Sequence, residues 1–196
     1  EERHAREEAE ALATARKRFL HLQKHAFTGL PKPYLLELRA PDKLEGSLLY
    51  ELTQQGIAPR AAEPGAVLLE AQALAPLFAC RSFSELLFPA ARKSSAAPEW
   101  IARHAGAFLK EFLPAAHAGE PPFGYRIEVR GENADRAALA KAVTAKLDGP
   151  LLVNAPGDYE VELRIELRRN GSADLFVKLY TIPDSRFAYR VGALSA

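Results

Sequence analysis

Val161-Glu162-Leu163-Arg164-Ile165-Glu166-Leu167-Arg168-Arg169-Asn170-Gly171-Ser172-Ala173-Asp174-Leu175-Phe176-Val177-Lys178-Leu179 holds two alternating runs on either side of one turn signal. Odd-numbered positions are apolar and most even ones are charged, the period of strands with two unlike faces. Parity fixes the turn. A two-residue Asn-Gly loop would set odd residues opposite even ones and split the apolar set between faces. A three-residue loop, Arg169-Asn170-Gly171 with Gly171 left-handed, pairs 167 with 173, 165 with 175 and 163 with 177. The second register keeps the eight odd-numbered apolar residues on one face. Upstream, Tyr125, Ile127 and Val129 alternate with Arg126, Glu128 and Arg130 as a further strand. Between the two, Asp135 is placed to cap a helix with Leu139, Ala142, Val143 and Leu147 on one face, and Gly149-Pro150 stops it.

The run Asn154-Ala155-Pro156-Gly157-Asp158-Tyr159-Glu160-Val161-Glu162-Leu163-Arg164-Ile165 resembles the THUMP domain of RNA-modifying enzymes. Leu175-Phe176-Val177-Lys178-Leu179-Tyr180 and Arg186-Phe187-Ala188-Tyr189-Arg190 extend the resemblance, which covers residues 34–196. In RNA guanine-N2 methyltransferases such a domain follows a small ferredoxin-like domain and precedes a Rossmann-type catalytic domain. The resemblance implies an α/β (α+β) chain in three parts: a helical arm over 1–33, a ferredoxin-like βαββαβ domain over 34–93, and a THUMP-like RNA-binding domain over 94–196 with the start of a linker.

The pattern before the THUMP-like segment agrees with that division. From Tyr34 it reads strand (Leu35 to Arg39), helix, strand (Ile57 to Ala62), strand (Ala66 to Glu70), short helix (Leu74, Leu77, Phe78) and strand (Phe83 to Phe88). Asp42 and Glu45 form a candidate capping box, Leu44, Leu48, Leu49 and Leu52 a stripe, and Gly56 a stop. Pro64-Gly65 turns the chain. The methyltransferases open this helix with Gly-Leu-Glu; here Lys43-Leu44-Glu45 stands in its place, a partial match. Pro89 to Pro98 reads as a linker, and a helix follows with Ile101, Ala105, Phe108, Leu109 and Phe112 at core spacing and Pro114 at its end. In the arm, Leu12, Ala15, Phe19, Leu22 and Ala26 make a narrow seam, for packing on the chain itself or for a protein or dimer contact.

Composition narrows the function classes. An apolar fraction of 48% describes a globular chain, and no apolar run approaches the ~20 residues of a membrane span. The single Cys80 excludes an intrachain disulfide and fits a cytoplasmic setting. The chain has no Met and begins at Glu1, and we read it as part of a longer protein. None of the 12 glycines is separated from another by a single residue, so a Gly-x-Gly nucleotide loop and a P-loop are absent. The Gly-rich S-adenosylmethionine loop and the Asn-Pro-Pro-Tyr motif of the methyltransferases are missing as well. This portion is expected to hold no cofactor and no catalytic residue; S-adenosylmethionine belongs to the parent enzyme that the resemblance implies. His21 and His25 stand one turn apart with no third ligand, so no metal site is expected. Cys80, beside Arg81 but after Leu77-Phe78-Ala79, reads as a packed structural cysteine rather than a nucleophile.

The partner that the resemblance implies is structured RNA, tRNA or rRNA. A net charge of +1 gives no global basic footprint, so binding must come from local segregation of charge. The candidates are Arg126, Arg130, Arg164 and Lys178 on polar strand faces, Arg168 and Arg169 at the hairpin tip, and Arg186, Tyr189 and Arg190 after the last strand. These types contact phosphates by charge, and Tyr189 can stack on a base. Against that stands ion pairing with Glu128, Glu162 and Glu166 on the same faces, which is favoured for each strand residue taken singly. Two other classes stay open: a non-catalytic protein-interaction scaffold, and a THUMP adaptor for thiolation, acetylation or pseudouridylation.

Overall fold

The structure, a computed structural model, describes residues 25–131, 135–184 and 186. Its elements are β1 (Ala26–Phe27), β2 (Tyr34–Arg39), α1 (Glu45–Gln54), β3 (Arg60–Ala61), β4 (Ala66–Ala71), a 3-10 turn (Leu77–Ala79), β5 (Glu85–Ser95), α2 (Pro98–Ala116), β6 (His117–Ala118), β7 (Phe123–Arg130), α3 (Arg136–Leu147), β8 (Leu152–Asn154), β9 (Val161–Leu167) and β10 (Ser172–Leu179). Among the described residues this is a mixed α/β fold with a core made mostly of sheet and three α-helices. Of the expected seam, Leu12, Ala15, Phe19 and Leu22 lie outside the described residues, as does the segment with Phe187, Tyr189 and Arg190; Ala26, expected on the same helix, lies in strand β1.

One eight-stranded sheet runs β3-β4-β2-β5-β10-β9-β7-β8. Its pairs are antiparallel except that β7 lies parallel to both β8 and β9. The hairpin of β9 and β10 has the register that parity demanded: Leu167 faces Ala173, Ile165 faces Leu175 and Leu163 faces Val177. Gly171 closes it at φ +78°, and its N–H donates to the Arg168 carbonyl at 3.0 Å. The apolar rows continue across the sheet, Val177 beside Phe88, Leu38 beside Leu86, and Leu36 beside Leu69. Against them pack Leu48 and Leu52 of α1, Ile101, Ala105, Leu109 and Phe112 of α2, and Val143 and Leu147 of α3, all buried. Asp135 caps α3 as expected, accepting from the Ala138 N–H at 2.9 Å.

Several local expectations shift. Residues 89–95, read as linker, continue β5: its start pairs with β2 and its remainder with β10. The Ala-Ser composition suggested loop, yet tertiary pairing with β10 supplies the hydrogen bonds that make it a strand. Pro114 lies inside α2 instead of ending it. The Asp42 capping box does not form; Leu44 is the N-cap, and the Glu45 carboxylate accepts from the Gly65 N–H at 2.9 Å, tying α1 to the β3–β4 turn. The short helix near Leu74 reduces to the 3-10 turn, and β1, β6 and β8 carried too little periodicity in two or three residues to be read.

Candidate nucleic-acid interface

The helices cover one face of the sheet. On the other face the even-numbered residues of β7, β9 and β10 meet in a checkerboard of sign. Arg126 lies opposite Glu162 and Glu162 opposite Lys178; Glu128 lies opposite Arg164; Arg130 lies opposite Glu166. Cross-strand neighbours of opposite charge attract, so this order favours the observed register as the apolar face does.

Arg164 is the centre of the lattice and is 1% exposed. Its guanidinium donates to both oxygens of Glu85 at 2.7 Å, and to Glu162 Oε1 at 2.7 Å from Nη2 and 3.1 Å from Nε. This corrects the expectation that Arg164 projects toward a phosphate: its donors are turned to carboxylates in the protein. The Arg164 guanidinium holds the Glu85 carboxyl at about 2, against the burial that would raise it. Burial would also raise Glu162, but donors from Arg126, Arg164 and Tyr180 outweigh it and keep it well below the usual carboxylate range.

The neighbours are paired in the same way. Arg39 grips Glu166 with bonds of 2.5 and 2.9 Å and reaches Glu37 at 2.9 Å. Arg130 binds Glu128 at 2.7 Å, and Lys178 binds Glu85 at 3.3 Å. Arg168 joins Asp174 and Glu63. Arg92 stands 3.3 Å from Glu37 Oε2 without a hydrogen bond, and burial raises the Glu37 carboxyl. Each of these cations on the face has a carboxylate partner, so the face as a whole is an ionic sheet and not a basic one.

Two other predicted residues fall elsewhere. Arg186, expected at a surface motif, is 5% exposed; it donates to the carbonyls of Cys80 and Phe83 at 3.2 and 3.1 Å and lies 3.5 Å from the Phe83 ring centroid. The chain after β10 is therefore fastened under the 3-10 turn. Cys80 beside it is buried, and burial, with Glu51 adding, pushes its thiol up, partly offset by Arg186. Arg169 is exposed at the hairpin tip. His25 is buried, with Nδ1 2.5 Å from Glu160 and Nε2 2.7 Å from the Glu120 carbonyl, so both ring nitrogens are engaged inside the protein.

One arrangement was not read from the sequence. Tyr159 and Tyr180 pack edge to face at 5.1 Å, and the Arg126 guanidinium lies 4.2 Å from the first ring centroid and 5.8 Å from the second. Tyr180 donates to Glu162 Oε2 at 2.9 Å. Such a cluster offers ring faces and a planar cation at the margin of the sheet. The alternation around Arg126 was visible; that Tyr159 and Tyr180 flank it depends on the pairing of β7, β9 and β10.

No family model matches the chain, and no curated protein does. Solved structures do. TrmN from Thermus thermophilus superposes with a TM-score of 0.55 at 22% identity, over 81% of this chain and 49% of that one. PH1313 from Pyrococcus horikoshii Ot3 gives 0.53 at 13% identity, over 74% and 53%. A predicted N6-adenine-specific DNA methylase from Listeria monocytogenes str. 4b F2365 gives 0.52 at 14% identity, over 75% and 40%. The chain shares their fold. It spans about half the length of these proteins or less.

The β–loop–α turn between parallel strands, from β7 to α3, carries Gly131 at φ +125°. A Cβ there would stand 2.6 Å from the Leu167 carbonyl oxygen, so this glycine makes room for β9 rather than for a ligand. Among the described residues no helix is long and apolar enough to cross a membrane.

Proposed function

We propose that this chain is the RNA-binding portion of an RNA-modification enzyme, a guanine-N2 methyltransferase acting on tRNA or rRNA, and that it presents structured RNA to a catalytic domain outside it. The observation that carries the reading is the likeness to TrmN, which takes in four fifths of this chain and half of that protein. The THUMP resemblance of Asn154 to Ile165 supports it independently. So does the order β3-β4-β2-β5 with its connecting α1 and 3-10 turn, which is that of a ferredoxin-like βαββαβ unit whose second helix has shrunk. In this reading residues 1–33 are the arm, 34–93 the ferredoxin-like domain and 94–196 the THUMP-like one. S-adenosylmethionine is held by the parent enzyme's catalytic domain.

Of the nine residues nominated from sequence, the exposed Arg169 and the half-buried Arg126 and Arg130 are the candidates for contact with RNA, with Tyr189 and Arg190 beyond the described residues. Arg126 between Tyr159 and Tyr180 is suited to stack on a base. Filter binding of the 196-residue chain to a tRNA transcript, an rRNA fragment and a plain duplex tests the reading. Saturable binding that weakens from 50 to 200 mM salt is expected; absence of binding at 50 mM overturns it.

A further inference from the structure

The sheet face holds seven cations, Arg39, Arg92, Arg126, Arg130, Arg164, Arg168 and Lys178, each beside a carboxylate. A cation already paired inside the protein gains little from a phosphate, because the new contact must first break the old one. Affinity for a polyanion comes from cations whose counterions are mobile salt. Two cations without an acidic partner among the described residues, Arg103 and Lys110, stand together on α2, on the side of the sheet that the helices cover.

There α2 and α3 cross, and a cleft of about 510 Å³ opens between them. Its floor is Ala102, Gly106 and Ala107 of α2. A Cβ at Gly106 would touch Leu147 Cδ1 at 3.4 Å, so small residues here bring the helices close and leave the outer groove open. Arg103 and Lys110 line one wall, two helical turns apart and so about 10 Å along the axis. Neither has an acidic partner among the described residues, and both are exposed. Glu111, the acid next to Lys110, is taken by Lys32 at 2.6 Å. Lys146 stands on the other wall and meets the only acid lining the cleft, Glu99, at 3.1 Å in an exposed pair. Two positive charges remain in excess.

We infer that the α2–α3 cleft is a phosphate-backbone site for RNA, with Arg103, Lys110 and Lys146 as its contacts. The inference rests on the RNA-binding reading above and moves the electrostatic part of that binding from the sheet face to the helices. The cleft offers a polyanion a local excess of base although the chain's net charge is only +1. An open groove with small apolar residues along its base and cations on both walls suits a backbone rather than a base or a small molecule.

The experiment is salt-dependent binding of the full chain to a tRNA transcript, with circular dichroism showing that each exposed-site variant folds. Replacing both Arg103 and Lys110 with Ala should weaken binding about tenfold at 50 mM salt and reduce the slope of log K against log salt by about 2. Ala107→Glu removes no group but sets a carboxylate one turn from each of the two bases; it should weaken binding to a similar degree. Glu99→Gln, which releases Lys146, should strengthen binding severalfold. Parent binding with all three variants unchanged overturns this site and leaves the RNA-binding reading intact. No binding by the parent chain overturns both.

Discussion

Arg164 and Glu85 join the two halves of the chain by two parallel hydrogen bonds of 2.7 Å, across 79 positions of sequence. Glu85 begins β5 and Arg164 lies in the middle of β9, with β10 between them. The pair reaches over an intervening strand, with Arg164 buried and Glu85 half-buried.

Breaking it should cost more than a surface ion pair does. Arg164→Ala leaves Glu85 with only Lys178 and Glu162 with only Arg126 and Tyr180 as side-chain donors, and a loss of about 3 kcal/mol is expected. Urea unfolding at neutral pH measures it. A loss under about 1 kcal/mol would place the lattice among weak surface pairs.

The same pair sets an acid limb. The Glu85 carboxyl is held at about 2 in the folded protein, below its usual 4.5. A depressed carboxyl contributes stability that is complete above about 4.5 and is lost as pH falls through that range toward 2. Unfolding free energy should therefore decline across this window, and Glu85→Gln should flatten the decline. An identical pH profile in the variant would show that other carboxylates control it.

Gly171 and Gly124 should respond differently to Ala. At Gly171 a Cβ meets nothing within 4 Å, so the cost is only that of φ +78° and amounts to about 1 kcal/mol. At Gly124 a Cβ would stand 2.6 Å from the Asp158 carbonyl oxygen, and backbone must move. There the loss should be about 3 kcal/mol. Thermal melts of both variants make the comparison, and equal losses would refute it.

His25→Phe keeps a ring that can stack on Phe123, now 4.1 Å away, but supplies no donor to Glu160 or to the Glu120 carbonyl. A loss of about 2–4 kcal/mol is expected, and Glu160→Gln combined with it should recover part of that loss. A double variant as unstable as the sum of the two singles would deny the coupling.

How much was legible follows from the range of each signal. The hairpin register was readable because parity, Gly171 and eight apolar residues all lie within 19 positions. The Asp135 cap was readable for the same reason. The fate of Arg164 was not, since its principal partner, Glu85, sits in another strand and nothing local marks the two as neighbours. The linker reading of residues 89–95 failed likewise: their composition is that of a loop, and what makes them strand is the edge of β10. Tyr159 and Tyr180 were visible as residues but not as a pair around Arg126. Arg103, Lys110 and Lys146 carried no signal in the sequence, because only the packing of α2 on α3 brings them to one cleft.

β5 pairs with β2 along its first residues and with β10 along the rest, so one strand is shared by both halves of the sheet. Such a strand acts as a splint. It removes the hinge that two separately closed modules would have, and whatever grips one half is carried by the other at a constant offset. It also makes the molecule hard to dissect: a cut on either side of β5 leaves β2 or β10 as a bare edge, ready to pair with a stranger.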